Sequence, residues 1–232
     1  MALLITDPKI LVLAFVGGLI PSLLWLWFWL KEEESPEPPR LLLVVFIMGM
    51  LAVIFVLPIE QFIQSQISSP TGQIILWASA EEILKYIAVF VVLCHTNNTN
   101  KPIDWPIYLI TAALGFAALE NALFLVKPLS INAATTGLLT DGLRFLGSTL
   151  LHTIASGTIG IAIGISFYMR TYAKMCFLFM GFVIAIALHS AFNFFIIRNN
   201  GNDFLKVFAF LWVVTIIVLL LFEKIRRMCE TM

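Results

Sequence analysis

Seven long apolar stretches divide the chain, at about 10–30, 41–62, 73–94, 104–126, 142–168, 174–198 and 203–222. A helix rises about 1.5 Å per residue, so roughly 20 apolar residues cross the hydrocarbon core of a bilayer. Each stretch therefore predicts a membrane-spanning helix. Between the first two, Lys31-Glu-Glu-Glu-Ser-Pro-Glu-Pro-Pro-Arg40 is charged and proline-rich. It cannot continue a helix and belongs in water. Segment 127–141 is milder, with Ser, Asn, Thr and Gly. It reads either as a loop or as a short re-entrant helix, and neither changes the number of full crossings. No internal repeat or second domain is visible. The expected architecture is an all-α polytopic transmembrane helix bundle of about seven spans, one integral membrane domain over 1–232. The first stretch lacks a basic leader and an A-x-A site, so it reads as a retained anchor.

Seven spans define two faces. Near the face that carries the C-terminus (face B) lie Lys31, Arg40, Lys101, Arg170, Lys174, Lys224, Arg226 and Arg227. The face that carries the N-terminus (face A) has Lys9, Lys127, Arg144, Arg198 and Lys206. The positive excess predicts a cytoplasmic face B, hence an N-out/C-in topology. Trp25, Trp27 and Trp29, beside Lys31, suggest an interfacial aromatic belt at that end.

Composition supports the membrane reading. The chain of 232 residues is 60% hydrophobic and 12% charged, with a mean hydropathy of +0.98, whereas soluble domains are about 25% charged. The formal net charge is zero, which gives no reason to expect a nucleic-acid partner. Cys94, Cys176 and Cys229 are far apart, form no metal spacing and read as small apolar fillers.

Against this apolar background, four spans carry ionisable or strongly hydrogen-bonding residues: Glu81-Glu82-Ile-Leu-Lys85, Glu120-Asn121, His152, and His189 with Asn193. A charge in hydrocarbon costs roughly 2.5–3.5 kcal/mol on insertion scales, so its retention points to use. Counted from the span edges, Glu81, Glu120, His152 and His189 all lie roughly 9–15 Å below face A. Four polar positions in one layer suggest one site.

Helical spacing supports convergence. Lys85 is i+4 from Glu81 and i+3 from Glu82, so one ammonium can serve either carboxylate. His189 and Asn193 share a face with Gly181 and Ala185. His152, Ser156, Gly160 and Gly164 form a second i+4 stripe. Small residues let helices approach closely, which turns both histidines inward. Asn121 and Asn193 fit interhelical hydrogen bonds as well as contact with a substrate or oxyanion. Arg144, in the first turn of its span, can snorkel to face A or pair with a site carboxylate. Glu60, after Pro58, reads as interfacial.

The ordered set Glu-Glu-x-x-Lys (Glu81, Glu82, Lys85), Phe-x-x-x-Glu-Asn (Phe116, Glu120, Asn121), Arg144 eight residues before His152, and His-x-x-x-Asn (His189, Asn193) resembles the PrsW family of intramembrane proteases, related to the type II CAAX prenyl endopeptidases. The resemblance covers about 73–198. It implies a glutamate-dependent endopeptidase in a prokaryotic plasma membrane. The implied substrate is a membrane-anchored protein, such as a single-span anti-sigma factor, cut near its extracytoplasmic side. The prenyl-protease branch has Glu-Glu-x-x-x-Arg and Phe-x-x-x-His in the corresponding places. Lys85 and Glu120 depart from that pattern and speak against prenylated substrates.

The expected chemistry is hydrolysis by an activated water. Glu81 or Glu82 acts as base, Lys85 tunes it, and Glu120 assists. His152 and His189, helped by Asn193, position the water or hold the oxyanion. No Gly-x-Ser-x-Gly or His-Glu-x-x-His motif is present, and Ser190 points about 100° away from His189. No cofactor is expected; His152, His189 and Glu120 are the set that would hold a divalent metal if one were used. A proton-coupled transporter is the competing class, since buried Glu and His also relay protons. The absence of a two-fold repeat weighs against it.

Overall fold

The computed structural model describes residues 7–31, 37–96, 98–130, 137–198 and 204–230, with backbone only at 137–145, 196–198, 204 and 230. The described residues form seven helices and no strand: α1 (Pro8–Lys31), α2 (Pro39–Gln66), α3 (Pro70–Leu93), α4 (Asp104–Ser130), α5 (Gly137–Ile165), α6 (Thr171–Arg198) and α7 (Phe204–Glu230). Six of them are long and apolar enough to cross a membrane. The exception, α3, is as long as α1 but carries Glu81, Glu82 and Lys85, all buried. Ile75, Leu76, Ile83, Ile87 and Phe90 are exposed on its other side, so α3 presents hydrocarbon outward and its charges inward.

Local sequence sets the helix ends. Proline occupies the first turn of α2 and α3, where its missing N–H costs nothing. Ser69 caps α3 by accepting from Gly72 N at 3.3 Å. At the start of α4 the Asp104 carboxylate accepts from Lys101 N at 2.7 Å. Helix α7 runs beyond the apolar stretch because Glu223 pairs with Arg226 at 2.8 Å and Arg227 at 2.7 Å, the i+3 and i+4 neighbours. Segment 127–141 divides between its neighbours: α4 continues to Ser130, α5 begins at Gly137, and 131–136 lie outside the described residues.

Helix α4 is the central post, buried on all sides from Pro106 to Ala118. Helices α1, α2 and α5 pack directly on it, α3 against α2 and α6, and α6 and α7 against α5. Two glycines make the α2–α4 crossing possible. A Cβ on Gly49 would strike the Ala112 carbonyl, and one on Gly115 would strike the Phe46 backbone. Backbones in van der Waals contact give helices in lipid their attraction, where apolar burial supplies little. Gly160 and Gly164 of α5 lie in the same way against Pro106 and Pro102.

The aromatic belt is narrower than the sequence suggested. Trp27 is 64% exposed, with the Lys31 ammonium 5.5 Å from its ring. Trp29 is only 2% exposed and packs on Phe28 and Phe222. Trp25 and Trp29 are four residues apart and share the inward face, while Trp27 lies opposite.

Candidate active site

Three residues of α3 begin the site. With Glu81 at 0°, Lys85 falls at about 40° and Glu82 at about 100° around the helix, so one narrow face carries all three. That face is buried against α4, α5 and α6. Lys85 Nζ lies 2.7 Å from Glu82 Oε1 and 3.5 Å from Glu81 Oε2. The ammonium also lies 2.8 Å from His152 Nδ1 and 4.3 Å from the centre of the Phe116 ring. Its three protons thus face two carboxylates and an imidazole.

The adjacent glutamates have different surroundings. Glu82 is fully buried. It accepts from Lys85, from Ser156 Oγ at 2.6 Å and from His189 Nδ1 at 2.8 Å. Glu81 instead borders a cavity of about 400 Å³ between α2, α3, α4, α5 and α6. Glu120, Asn121, His152, His189 and Asn193 border the same cavity.

Donor and acceptor assignments follow from the partners. A lysine ammonium only donates, so His152 Nδ1 accepts, and His152 Nε2 donates to Glu120 Oε2 at 2.7 Å. The carboxylate of Glu82 accepts from His189 Nδ1, which leaves His189 Nε2 facing Glu81 Oε2 at 3.6 Å. The two rings meet edge-on, with centroids 5.0 Å apart. On the i+4 stripe that carries His189, Gly181 of α6 lies against Ile159 and Ala162 of α5.

The structure therefore brings Glu81, Glu82, Lys85, Glu120, His152 and His189 into one network. Asn121 is buried and donates to Thr149 Oγ1 at 2.9 Å, joining α4 to α5. Asn193 lies on the cavity wall. The Arg144 side chain lies outside the described residues. Ser190 Oγ is buried with no hydrogen-bond partner among the described residues. Ser156 stood in the His152 stripe as a small residue, and its contact with Glu82 was not legible there. Glu60 is the larger difference. It lines the cavity rather than the interface, and its backbone carbonyl accepts from Trp77 Nε1 at 3.2 Å. Its position two turns from the end of α2 was the available signal.

One atom each from Glu81, His152 and His189 lie within 4.8 Å of one another, a grouping of metal-ligand type. Two imidazoles and a carboxylate are a known donor set for catalytic zinc. This trio takes Glu81 where the sequence suggested Glu120, which contacts His152 from the far side. Two of the three donors suit a cation, while both ring nitrogens of His152 are already engaged, by Lys85 and Glu120.

Comparison with known proteins supplies the family. The sequence pattern of the family described as "PrsW family intramembrane metalloprotease" matches residues 37–221. Protease PrsW of Shouchella clausii (strain KSM-K16) is 27% identical over 216 residues, covering 91% of this chain and 95% of that protein. Protease PrsW of Geobacillus kaustophilus (strain HTA426) is 26% identical, covering 79% and 80%. Protease PrsW of Bacillus subtilis (strain 168) is 23% identical, covering 84% and 89%. No solved structure matches. The relatives are bacterial and the bundle is apolar, so this is an integral membrane protein of a prokaryote, and a protease rather than a transporter. The chain belongs to the PrsW family of intramembrane proteases.

Proposed function

We propose that this protein hydrolyses a peptide bond in a membrane-anchored protein, such as a single-span anti-sigma factor, with Glu81 as the proton acceptor. The observation that carries this reading is the asymmetry of the glutamate pair: Glu81 borders the cavity, whereas Glu82 is enclosed by Lys85, Ser156 and His189.

Water between Glu81 Oε2 and His189 Nε2 gives a proton to the Glu81 carboxylate as its oxygen attacks the substrate carbonyl carbon. The Asn193 amide, on the same wall, supplies a donor for the developing oxyanion. The C–N bond then breaks, and the proton held on Glu81 passes to the leaving nitrogen. Glu82 and Lys85 hold His189 and His152 in place from behind, and Glu120 fixes the far side of His152. The cavity mouth lies toward face A, which we place outside the cell from the distribution of basic residues.

A second reading is favoured by the grouping of Glu81, His152 and His189. These three would hold a divalent ion, with Lys85 withdrawn from His152 Nδ1. Such an ion supplies acidification of bound water and polarisation of the carbonyl. The deciding experiment is cleavage of a single-span substrate by the purified protein in lipid nanodiscs, with and without chelator, alongside metal analysis of the protein. Cleavage that survives chelation supports the metal-free reading. Loss on chelation and recovery with one ion supports the other. No cleavage of any single-span substrate defeats both.

A further inference from the structure

Three carboxylates border the cavity: Glu60, Glu81 and Glu120. Two of them have basic partners within the protein. Glu81 has Lys85 and His189, and Glu120 has His152. Glu60 forms no ion pair with any lysine, arginine or histidine whose side chain is described. Its side chain meets the Glu81 carboxyl closely enough to share a hydrogen bond, Glu120 is a further acidic neighbour, and Lys85 lies fully buried behind Glu81 and Glu82. The bond from Trp77 Nε1 to the Glu60 carbonyl anchors this part of α2. Gln61 and Gln64 continue the same wall. The α2 side of the cavity thus presents a polar strip whose one carboxyl group, among the described side chains, faces two other carboxyl groups and contacts no cation, in surroundings where a charge is costly to leave unpaired.

We propose that Glu60 is a specificity residue that pairs with a lysine or arginine side chain of the substrate next to the scissile bond. The substrate completes the charge balance of the cavity, and the pairing holds the chain against the α2 wall while the carbonyl lies over Glu81. This inference rests on the endopeptidase reading above.

The test uses full-length protein in nanodiscs and a set of single-span peptides. Their face-A flanking segment carries Lys, Gln or Glu at each position in turn. For the wild type, Lys at one position is expected to raise kcat/KM about tenfold over Gln, mainly through KM, as an interfacial charge pair would. In Glu60→Gln the Lys preference falls to about twofold. In Glu60→Lys the preference inverts, and Glu at that same position is cut best. This charge exchange keeps the test decisive even if a single variant folds poorly. Folding is followed by thermal unfolding. An unchanged Lys preference in Glu60→Gln overturns the proposal. So does loss of kcat on every peptide at constant KM, which would place Glu60 in the chemistry itself. A wild type that cuts no peptide overturns the endopeptidase reading, and this inference falls with it.

Discussion

Glu82 and His189 are joined by a 2.8 Å hydrogen bond between α3 and α6, both side chains almost wholly buried. That bond turns the opposite nitrogen of the same ring toward Glu81, at 3.6 Å. Two neighbouring glutamates thus act on opposite sides of one imidazole. Glu82 orients the ring from the interior, and Glu81 meets it at the cavity.

This division predicts different failures for the two glutamates. Glu81→Gln should lower kcat by about 10²–10⁴, the usual cost of losing a general base, with little change in thermal stability. Glu82→Gln should lose activity and also destabilise the bundle, because Lys85, Ser156 and His189 all bond to it. Breaking a buried charged network by removing one member costs about 3–5 kcal/mol. Cleavage rates and unfolding midpoints measured on the same nanodisc preparations separate the two cases. Equal stability loss in both variants would contradict the assignment.

Lys85 is predicted to be structural and electrostatic together. Lys85→Met leaves Glu82 and His152 Nδ1 without their shared donor, and a loss of about 3–5 kcal/mol is expected. The double variant Lys85→Met/Glu82→Gln should recover part of that loss, since no unpaired charge remains at position 82. A double-mutant cycle on unfolding free energies measures the coupling. An additive result would mean that the pair is not coupled.

The α2–α4 crossing depends on two hydrogen atoms. Gly115→Leu places a side chain against the Phe46 backbone, and Gly49→Leu does the same at the Ala112 carbonyl. Overpacking typically costs about 1–3 kcal/mol, and contact with backbone leaves no rotamer to relieve it. Both variants should unfold at lower temperature and cut more slowly, because α2 carries one wall of the cavity. Gly72→Ala at the exposed start of α3 is the control and should be near neutral, the nearest atoms there lying 3.3 Å or more away.

The orientation argued from charge predicts a labelling pattern. Cys94 is exposed at the face-B end of α3, and Ser65 is exposed at the face-A end of α2. In a Cys176→Ser/Cys229→Ser background, a membrane-impermeant maleimide should reach Ser65→Cys from outside intact cells. It should reach Cys94 only after permeabilisation. The reverse pattern would put the cavity mouth in the cytoplasm.

Much of the architecture was legible from the linear pattern. A bilayer demands long apolar segments with every backbone group bonded internally, so composition alone predicts helices and nearly their number. Residues Glu81, Glu120, His152 and His189 could be placed in one layer, because depth in a membrane is a count of residues times a fixed rise. Helix ends were less legible. Helix α7 runs to Glu230 on ion pairs, and α4 and α5 extend into a segment too mild to read as apolar. The tryptophan belt misled because three alternating residues cannot all share one face of a helix.

The sequence by itself determined the solvent, the helix count and the chemical inventory of the polar layer, since each depends on residue type and local spacing. Only the tertiary structure decided which carboxylate meets the cavity. Glu81 and Glu82 are chemically identical neighbours, separated by about 100° of helix rotation. What lies beyond each is set by α5 and α6, from Ser156 and His189 at distances of 74 and 107 residues along the chain. The same holds for Glu60, whose place in the cavity depends on where α2 crosses α4, fixed by the reciprocal contacts of Gly49 and Gly115. Spacing along one helix reports a face, but packing between helices chooses what that face meets.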